Sequence, residues 1–184
     1  MIILPSVILL LIMLVQNEWM IDVEAIVDGV TVDKNEFPFA LDSPYTFDKY
    51  ITKAELVPKG YYIPNDLTVN IIGWGVEKSD TTTPSRSLKK TQVTVLSHSK
   101  CIELYTGKVK VSDTVFCTAH NRKNNRGICY GDSGGPVVKD KTVVIGVISV
   151  NYAKTKCGDK NHPDLQTNVA KYRQWIDNTI FNNI

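Results

Sequence analysis

The chain has 184 residues, of which 43% are hydrophobic and 22% are charged, a composition that excludes a disordered or collagen-like protein. Its formal net charge is only +2, and the charges form no long run of one sign. We therefore expect neither a nucleic acid nor an anionic membrane as a partner.

The first predicted element is an apolar run over residues 2–15, which the polar residues 16–18 end. The run is too short to span a bilayer but has the length of a secretory h-region. Val23 and Ala25 suit the small-residue positions of a signal peptidase site. We expect a signal peptide over residues 1–25, a secreted, extracellular protein and a mature chain that begins at Ile26. The alternative is a buried helix or an anchor.

Short β-rich runs separated by turn residues make up most of the remaining chain. They are residues 68–74, 89–96, 114–119, 136–139, 143–150 and 165–169. This spacing, with Gly and Pro between the runs, is typical of an all-β sandwich or barrel.

Two segments have helical patterns. Residues 99–106 predict a short helix with Ser99 as N-cap and Gly107 as its stop. Near the end of the chain, apolar or amphipathic side chains recur at i, i+3, i+4 and i+7. They are Val169, Tyr172, Trp175, Ile176, Thr179 and Ile180. The pattern predicts an amphipathic C-terminal helix that packs one face on the barrel.

Four cysteines in an exported chain predict two disulfides. They are Cys101, Cys117, Cys129 and Cys157. From the sequence alone three connectivities are open. No Cys-x-x-Cys pair occurs and the three His are scattered, so neither a metal site nor a cofactor is expected.

The most specific motif is CYGDSGGP at residues 129–136. Its glycines let the backbone approach a substrate closely, and the N–H groups of Gly131 and Ser133 can point at one spot beside the Ser133 hydroxyl. The motif therefore predicts a nucleophile next to an oxyanion hole. The alternative is a glycine-rich turn that contains Ser by chance, and the length of the motif argues against it.

Residues 131–135 also satisfy Gly-x-Ser-x-Gly, the nucleophile elbow of α/β-hydrolases. That elbow requires a helix directly after the Ser. Here residues 136–138 and 143–150 have strand character, so this family is disfavoured.

At this point the sequence resembles the chymotrypsin/trypsin family of serine endopeptidases (peptidase S1), over residues 26–39 and about 41–180. Besides the nucleophile loop and the cysteines, the resemblance rests on residues 26–29, 36–39, 73–75, 157–158, 163–164 and 175–176. It implies a trypsin-like fold, mainly the second of the family's two antiparallel β-barrels with the C-terminal helix. It also implies the pairings Cys101–Cys117 and Cys129–Cys157.

The resemblance assigns roles to residues of the nucleophile loop. Ser133 is the nucleophile, and the N–H groups of Gly131 and Ser133 form the oxyanion hole. Asp132 pairs with the free amine of Ile26, which orders this loop. Ser149 hydrogen-bonds the substrate backbone.

The resemblance also places a substrate pocket. Gly127 lies at its floor, where trypsin-like members carry Asp, so we expect an apolar residue before the cleaved bond rather than Lys or Arg. Asp164 lies near the pocket base and would restore a negative charge there. Val150 and Asn151 form a wall in which Trp-Gly is common.

In the family, the catalytic His and Asp precede the Ser in the chain. Residues 40–72 contain no His, and residues 41–47 resemble the linker between the two barrels. We therefore expect an internally truncated domain over residues 26–184, with an N-terminal strand segment at 26–40 and the linker and second barrel at 41–184. The chain's three His, at positions 98, 120 and 162, are not expected to face Ser133.

These features predict a secreted protein of a family that hydrolyses peptide bonds through an acyl-enzyme, in a chain that is inactive by itself. Protein or peptide substrates and protease inhibitors are the expected partners, and the exposed barrel face predicts self-association. One alternative is a non-catalytic homologue that binds a substrate, an inhibitor or a protease. Another is a splice or gene-model product with no function of its own.

Overall fold

The computed structural model describes residues 30–33, 36, 53–77, 80, 82–119, 127–150, 157–159 and 161–182. These residues form eight strands and two helices. In chain order the elements are β1 Val30–Thr31, β2 Glu55–Leu56, β3 Thr68–Gly73, β4 Lys89–Val95, α1 His98–Tyr105, β5 Val115–Ala119, β6 Pro136–Lys139, β7 Val143–Val150, β8 Asp164–Asn168 and α2 Val169–Asn182.

Six of the strands close into an antiparallel barrel in the order β4-β3-β6-β7-β8-β5, and β5 pairs back onto β4. The predicted all-β barrel with a C-terminal helix is confirmed. The short strand β1 adds to β4, and β2 pairs in parallel with β7. Neither was predicted, because two residues are too few to show a period.

The barrel interior is filled by alternate side chains of its strands. Along β4, Val93 and Val95 are buried while Gln92 is exposed. Ile71 of β3 and Ile145 of β7 are fully buried in the same core. Burying one such side chain contributes about 1.5–3 kcal/mol, so this core supplies the main driving force that holds the sheet closed.

Helix α1 begins two residues earlier than its predicted N-cap implies. The cap is Ser97, whose Oγ accepts a hydrogen bond from the backbone N–H of Lys100 at 3.2 Å, so Ser99 lies inside the first turn. The prediction of Ser99 as N-cap was wrong because both serines precede the apolar residues and only the structure shows which one turns the chain. The helix ends at Tyr105, shortly before Gly107, which has a φ of 74°.

Helix α2 packs on the barrel through a narrower face than its pattern predicted. Ala170 and Ile176 are buried, whereas Tyr172 and Trp175 are 40% and 48% exposed. The Arg173 guanidinium donates to the backbone carbonyls of Leu56 and Val57 at 2.9 and 3.0 Å and so ties the helix to β2. The two aromatic side chains that were expected on the barrel therefore lie largely at the surface.

Within the described ranges, neither helix has the length and hydrophobicity that crossing a membrane requires. The predicted signal peptide, residues 1–25, lies outside the described residues.

Candidate active site

Ser133 lies on an exposed loop that leads into β6. Gly131 has a φ of 91°, a conformation that favours glycine, and it turns the chain just before the nucleophile. Hydrogen bonds between Gly134 N and Ile148 O and between Ile148 N and Gly135 O, both 2.8 Å, fasten the loop to β7. The hydroxyl thus stands on a rigid support at the barrel surface.

The backbone donors predicted for the oxyanion hole lie on either side of Asp132. Among the described residues, the N–H groups of Gly131 and Ser133 donate to no other group. Donors that are fixed in place and unoccupied are suited to stabilise the negative charge of a tetrahedral intermediate. Their use as an oxyanion hole stays a prediction.

The Ser133 hydroxyl contacts another predicted site residue. Its Oγ donates to the backbone carbonyl of Ser149 at 3.2 Å. A carbonyl oxygen accepts a hydrogen bond but is too weak a base to remove the proton. The structure therefore brings Ser133 and Ser149 together, and over the described ranges no general base hydrogen-bonds the Ser133 hydroxyl.

The Asp132 side chain points into the protein and is buried. Its Oδ1 accepts from the N–H of Gly75 at 3.1 Å, and its Oδ2 accepts from the N–H of Cys129 at 2.9 Å. Burial raises the pKa of Asp132 well above its usual value, these two hydrogen bonds oppose the rise, and nearby Asp164 adds to it. Ile26, its predicted partner, lies outside the described residues.

Asp164, the first residue of β8, is also buried. Its Oδ2 accepts from the backbone N–H of Ile128 at 3.2 Å, so the structure places it beside Gly127, the other residue predicted at the pocket base. Burial raises the pKa of Asp164 well above its usual value, and the bond from Ile128 opposes the rise. The consecutive N–H groups of Ile128 and Cys129 therefore serve two different carboxyl groups.

Sequence reasoning missed a buried polar pair next to Asp164. Gln166, two residues further along β8, donates from Nε2 to Thr118 Oγ1 at 2.9 Å, and its Oε1 has no partner among the described residues. Side chains two apart on a strand share a face. That alternation was the available signal, and applying it to Asp164 would have placed Gln166 on the same side of β8.

Other predicted site residues frame this region. Val150 ends β7, is 44% exposed and pairs with Leu165 of β8. Asn151 lies outside the described residues. The disulfides join Cys101 to Cys117 and Cys129 to Cys157, the pairings that the resemblance implied. The second disulfide connects the loop that precedes Ser133 to the segment that precedes β8.

The two described His residues do not contact the Ser133 hydroxyl. His162 Nδ1 lies 2.8 Å from Asp159 Oδ2, and its Nε2 lies 3.2 Å from Lys108 Nζ. His98 is exposed at the start of α1. Neither hydrogen-bonds Ser133, and His120 lies outside the described residues. Over the described part of the chain, no cluster of three or more His, Cys, Asp or Glu is arranged to hold a metal ion.

The family model described as Trypsin matches residues 25–176. The chain belongs to the trypsin family. It is 36% identical over 124 residues to Trypsin Tyr p 3.0101 of Tyrophagus putrescentiae, an alignment that covers 67% of this chain and 42% of that protein. Testisin of Homo sapiens is 31% identical over 143 residues, and the alignment covers 74% of this chain and 44% of testisin.

Trypsin 5G1 of Aedes aegypti is 30% identical, and the alignment covers 81% of this chain and 54% of that trypsin. The chain thus spans about half the length of these relatives. Mouse neuropsin, a solved serine protease structure, matches with a TM-score of 0.64 and 25% identity over 76% of this chain and 58% of that one. A mutant of human heparin binding protein matches with a TM-score of 0.61 and 27% identity, and the match covers 77% of this chain and 55% of that one.

Proposed function

We propose that this trypsin-family protein retains the nucleophile Ser133 and its oxyanion donors but does not hydrolyse peptide bonds by itself. The observation that carries the proposal is that the Ser133 hydroxyl donates to the Ser149 carbonyl and, among the described residues, to no imidazole. A serine hydroxyl needs a base to become an effective nucleophile. His162, held between Asp159 and Lys108, does not supply one.

The remaining parts of the site set an upper limit on the activity. In serine proteases, losing members of the triad leaves about 10³–10⁴-fold catalysis over water, which comes from the oxyanion hole and substrate binding. Residues 41–47 resemble the linker between the family's two barrels, so the part of the substrate cleft that the first barrel supplies is also expected to be lacking. The activity of the chain alone should therefore lie at or below that residual level.

The substrate class that fits the pocket residues is a peptide with an apolar side chain before the scissile bond. Gly127 brings no charge to the pocket floor. Asp164 is buried and its pKa is raised by burial, so it presents less negative charge than an exposed carboxylate. A cationic side chain therefore gains little electrostatic binding energy in this pocket. Apolar peptides, or inhibitors that mimic them, are the proposed ligands.

Export is part of the proposal. Two disulfides fit an oxidising compartment outside the cytosol. The apolar run over residues 2–15 fits a secretory signal, and signal cleavage after Ala25 would release the mature protein.

A second candidate function is that of a non-catalytic homologue that binds a substrate, an inhibitor or a protease. The structural similarity to human heparin binding protein favours this alternative, because that protein has the same fold and is named for a binding function. Retention of Ser133 inside an intact glycine-rich loop argues against it, since a binding module has no chemical need for a nucleophile.

Reaction with a fluorophosphonate tests the proposal, because this probe modifies an activated serine and leaves an unactivated one almost untouched. The native oxidised chain should be modified at Ser133 no faster than the same chain unfolded in denaturant, with Ser133→Ala as the blank. Modification that is orders of magnitude faster in the native chain would overturn the proposal. If the unreactive chain nevertheless binds an apolar peptide in calorimetry, the non-catalytic function is favoured.

A further inference from the structure

Gln166 is a buried polar side chain whose hydrogen-bonding capacity is only partly used. It faces the barrel interior, because its register partners Phe116 of β5 and Ile148 of β7 both belong to the hydrophobic core. Its Nε2 donates to Thr118 Oγ1 at 2.9 Å, whereas its Oε1 is inaccessible to solvent and accepts from no group in the described part of the chain. An unpaired amide oxygen in a core is costly, so a donor close to Gln166 is expected.

Asp164 is the side chain that the sheet places next to this amide oxygen. Asp164 and Gln166 are two residues apart on β8 and therefore point to the same side of the sheet. Thr118 lies directly opposite Asp164 in the pairing of β5 with β8, and the Gln166 amide reaches Thr118 across the diagonal. The amide is thereby drawn along β8 toward the Asp164 carboxyl group, which is also buried.

The strands around Asp164 offer no charge that would stabilise its ionised form. Strands β5, β7 and β8 carry no Lys, Arg or His. From the nucleophile loop the charged group that faces it is Asp132, a second carboxyl group, and two like charges disfavour each other. Burial raises the pKa of Asp164 well above its usual value, although the N–H of Ile128 donates to its Oδ2 and opposes the rise.

The ionisable groups on the other neighbouring elements interact with other partners. On the segment that precedes β8, His162 Nδ1 lies 2.8 Å from Asp159 Oδ2. From α1, the Tyr105 hydroxyl donates to the backbone carbonyl of Pro163. These groups therefore add no positive charge beside the Asp164 carboxyl group.

We propose that the Asp164 carboxyl group carries a proton and donates it in a hydrogen bond to Gln166 Oε1, so that the pocket base is a neutral acid–amide pair. A protonated carboxyl group has an O–H donor, whereas an ionised one has only acceptors and would repel the amide oxygen. The proton thus satisfies the buried acceptor and removes a buried charge together. Gln166 becomes a further specificity-determining residue, an inference that rests on the apolar pocket of the proposed function.

The pair makes the preference of the pocket depend on pH. While Asp164 holds its proton, the pocket base that it forms with Gly127 is uncharged, so a cationic side chain gains no electrostatic binding energy. At higher pH the proton is lost and a carboxylate at the pocket base attracts a cation. Two opposite charges about 10 Å apart, at an effective dielectric constant of about 20, change a dissociation constant roughly tenfold.

Carbon-13 NMR of the full oxidised chain, labelled at its aspartate carboxyl groups, tests the pair directly. The Asp164 signal is identified by its loss in Asp164→Asn. It should have the chemical shift of a neutral acid at a pH where the exposed Asp113 already has that of a carboxylate. An Asp164 signal with the shift of a carboxylate at that pH would overturn the inference, and this spectrum needs no variant of Gln166.

Gln166→Met tests whether the amide oxygen holds the proton. Methionine has a similar length but offers no amide oxygen, so the Asp164 titration midpoint should move to lower pH. A merely structural glutamine predicts the opposite direction, because a less polar neighbour increases the desolvation of the carboxylate. Thr91→Val is the matched control, since it removes another buried oxygen without a partner among the described residues and should leave the midpoint in place. A midpoint that rises or stays unchanged in Gln166→Met would overturn the inference.

Calorimetry with benzamidine, an aromatic cation, and benzamide, its neutral isostere, tests the effect on specificity. Benzamidine should bind roughly tenfold more tightly above the Asp164 midpoint than below it, benzamide should bind equally at both, and Asp164→Asn should abolish the difference. Benzamide binding without a pH-dependent gain for benzamidine would overturn the specificity role. If neither probe binds, the proposed apolar pocket is wrong, and the NMR titration still decides on the acid–amide pair.

Discussion

The carboxylate of Asp132 lies in the space that a side chain at position 73 would need: a Cβ built on Gly73 would be 2.1 Å from Asp132 Oδ1. Two residues later, Gly75 donates its N–H to the same oxygen at 3.1 Å. The Gly-Trp-Gly segment at the end of β3 therefore makes room for the carboxyl group and also hydrogen-bonds it. Through this contact the barrel wall holds the loop that carries Ser133.

Replacing Gly73 with alanine should displace the Asp132 carboxyl and strain the loop. Overpacking of a buried site typically costs about 1–3 kcal/mol, and a 2.1 Å approach to a buried, hydrogen-bonded group places this variant at the upper end of that range. Urea denaturation measures the effect. Gly107→Ala is the control, because its Cβ would meet nothing within 4 Å and only its φ of 74° costs about 1–2 kcal/mol.

The double variant Gly73→Ala with Asp132→Ala makes this prediction specific. Removing the carboxyl group frees the space, so the two effects should not add. If Gly73→Ala is no more destabilising than Gly107→Ala, or if the double variant is simply additive, the steric explanation is wrong.

Stability should depend on pH through Asp132 and Asp164. Their pKa values are raised above the ordinary 3.8 by burial, so the folded state binds protons more tightly than the unfolded state. The contribution of these two groups to the free energy of unfolding is fully present below their pKa in the unfolded chain. It is lost as the pH rises through their pKa values in the folded protein. Asp164→Asn should therefore flatten the fall in unfolding free energy with rising pH.

Asp113→Asn is the matched control for the pH series. The Asp113 pKa is lowered, chiefly by its hydrogen bond with Lys171, so any contribution it makes is lost as pH falls, the opposite direction. If the Asp164→Asn variant loses as much stability with rising pH as the wild-type chain does, Asp164 is not the group that titrates.

The two disulfides should contribute similar amounts to stability. They close loops with sequence separations of 16 and 28 residues. On the chain-entropy model, replacing Cys101 and Cys117 together by alanine should cost about 3 kcal/mol, and replacing Cys129 and Cys157 about 3.5 kcal/mol. Denaturation of each double variant measures this. A negligible loss for either pair would mean that the reduced chain already holds that loop closed.

Secreted protein should begin at Ile26, because Val23 and Ala25 fit the small-residue positions of signal peptidase. N-terminal sequencing of material from the culture medium is the measurement. A start at any other residue would remove the free amine that the resemblance assigns to Asp132 as its partner.

Much of the fold could be predicted because it depends on local patterns. The alternation of buried and exposed residues along β4 and β7 and the helical spacing in α2 were sufficient to predict the barrel and its C-terminal helix. The exposure of Trp175 was missed, since helical periodicity shows which residues share a face but not how wide a face the barrel covers.

The candidate site could be described from the sequence only in part. The glycine-rich motif singles out Ser133 and its neighbours, and their catalytic roles stay predictions. The partners of Asp132 were missed, since the donors Gly75 and Cys129 are backbone groups, and one of them is 57 residues away in the chain. Contacts of that kind depend on how strands meet in space, and no side-chain pattern encodes them.

The most direct test of the central claim is peptide turnover. Hydrolysis of a peptide with an apolar residue before the scissile bond should proceed no faster with the purified chain than with its Ser133→Ala variant, because no described base can take the hydroxyl proton. A turnover that depends on Ser133 and is abolished by an acylating inhibitor would contradict the claim. His98→Ala, His120→Ala and His162→Ala would then identify the base.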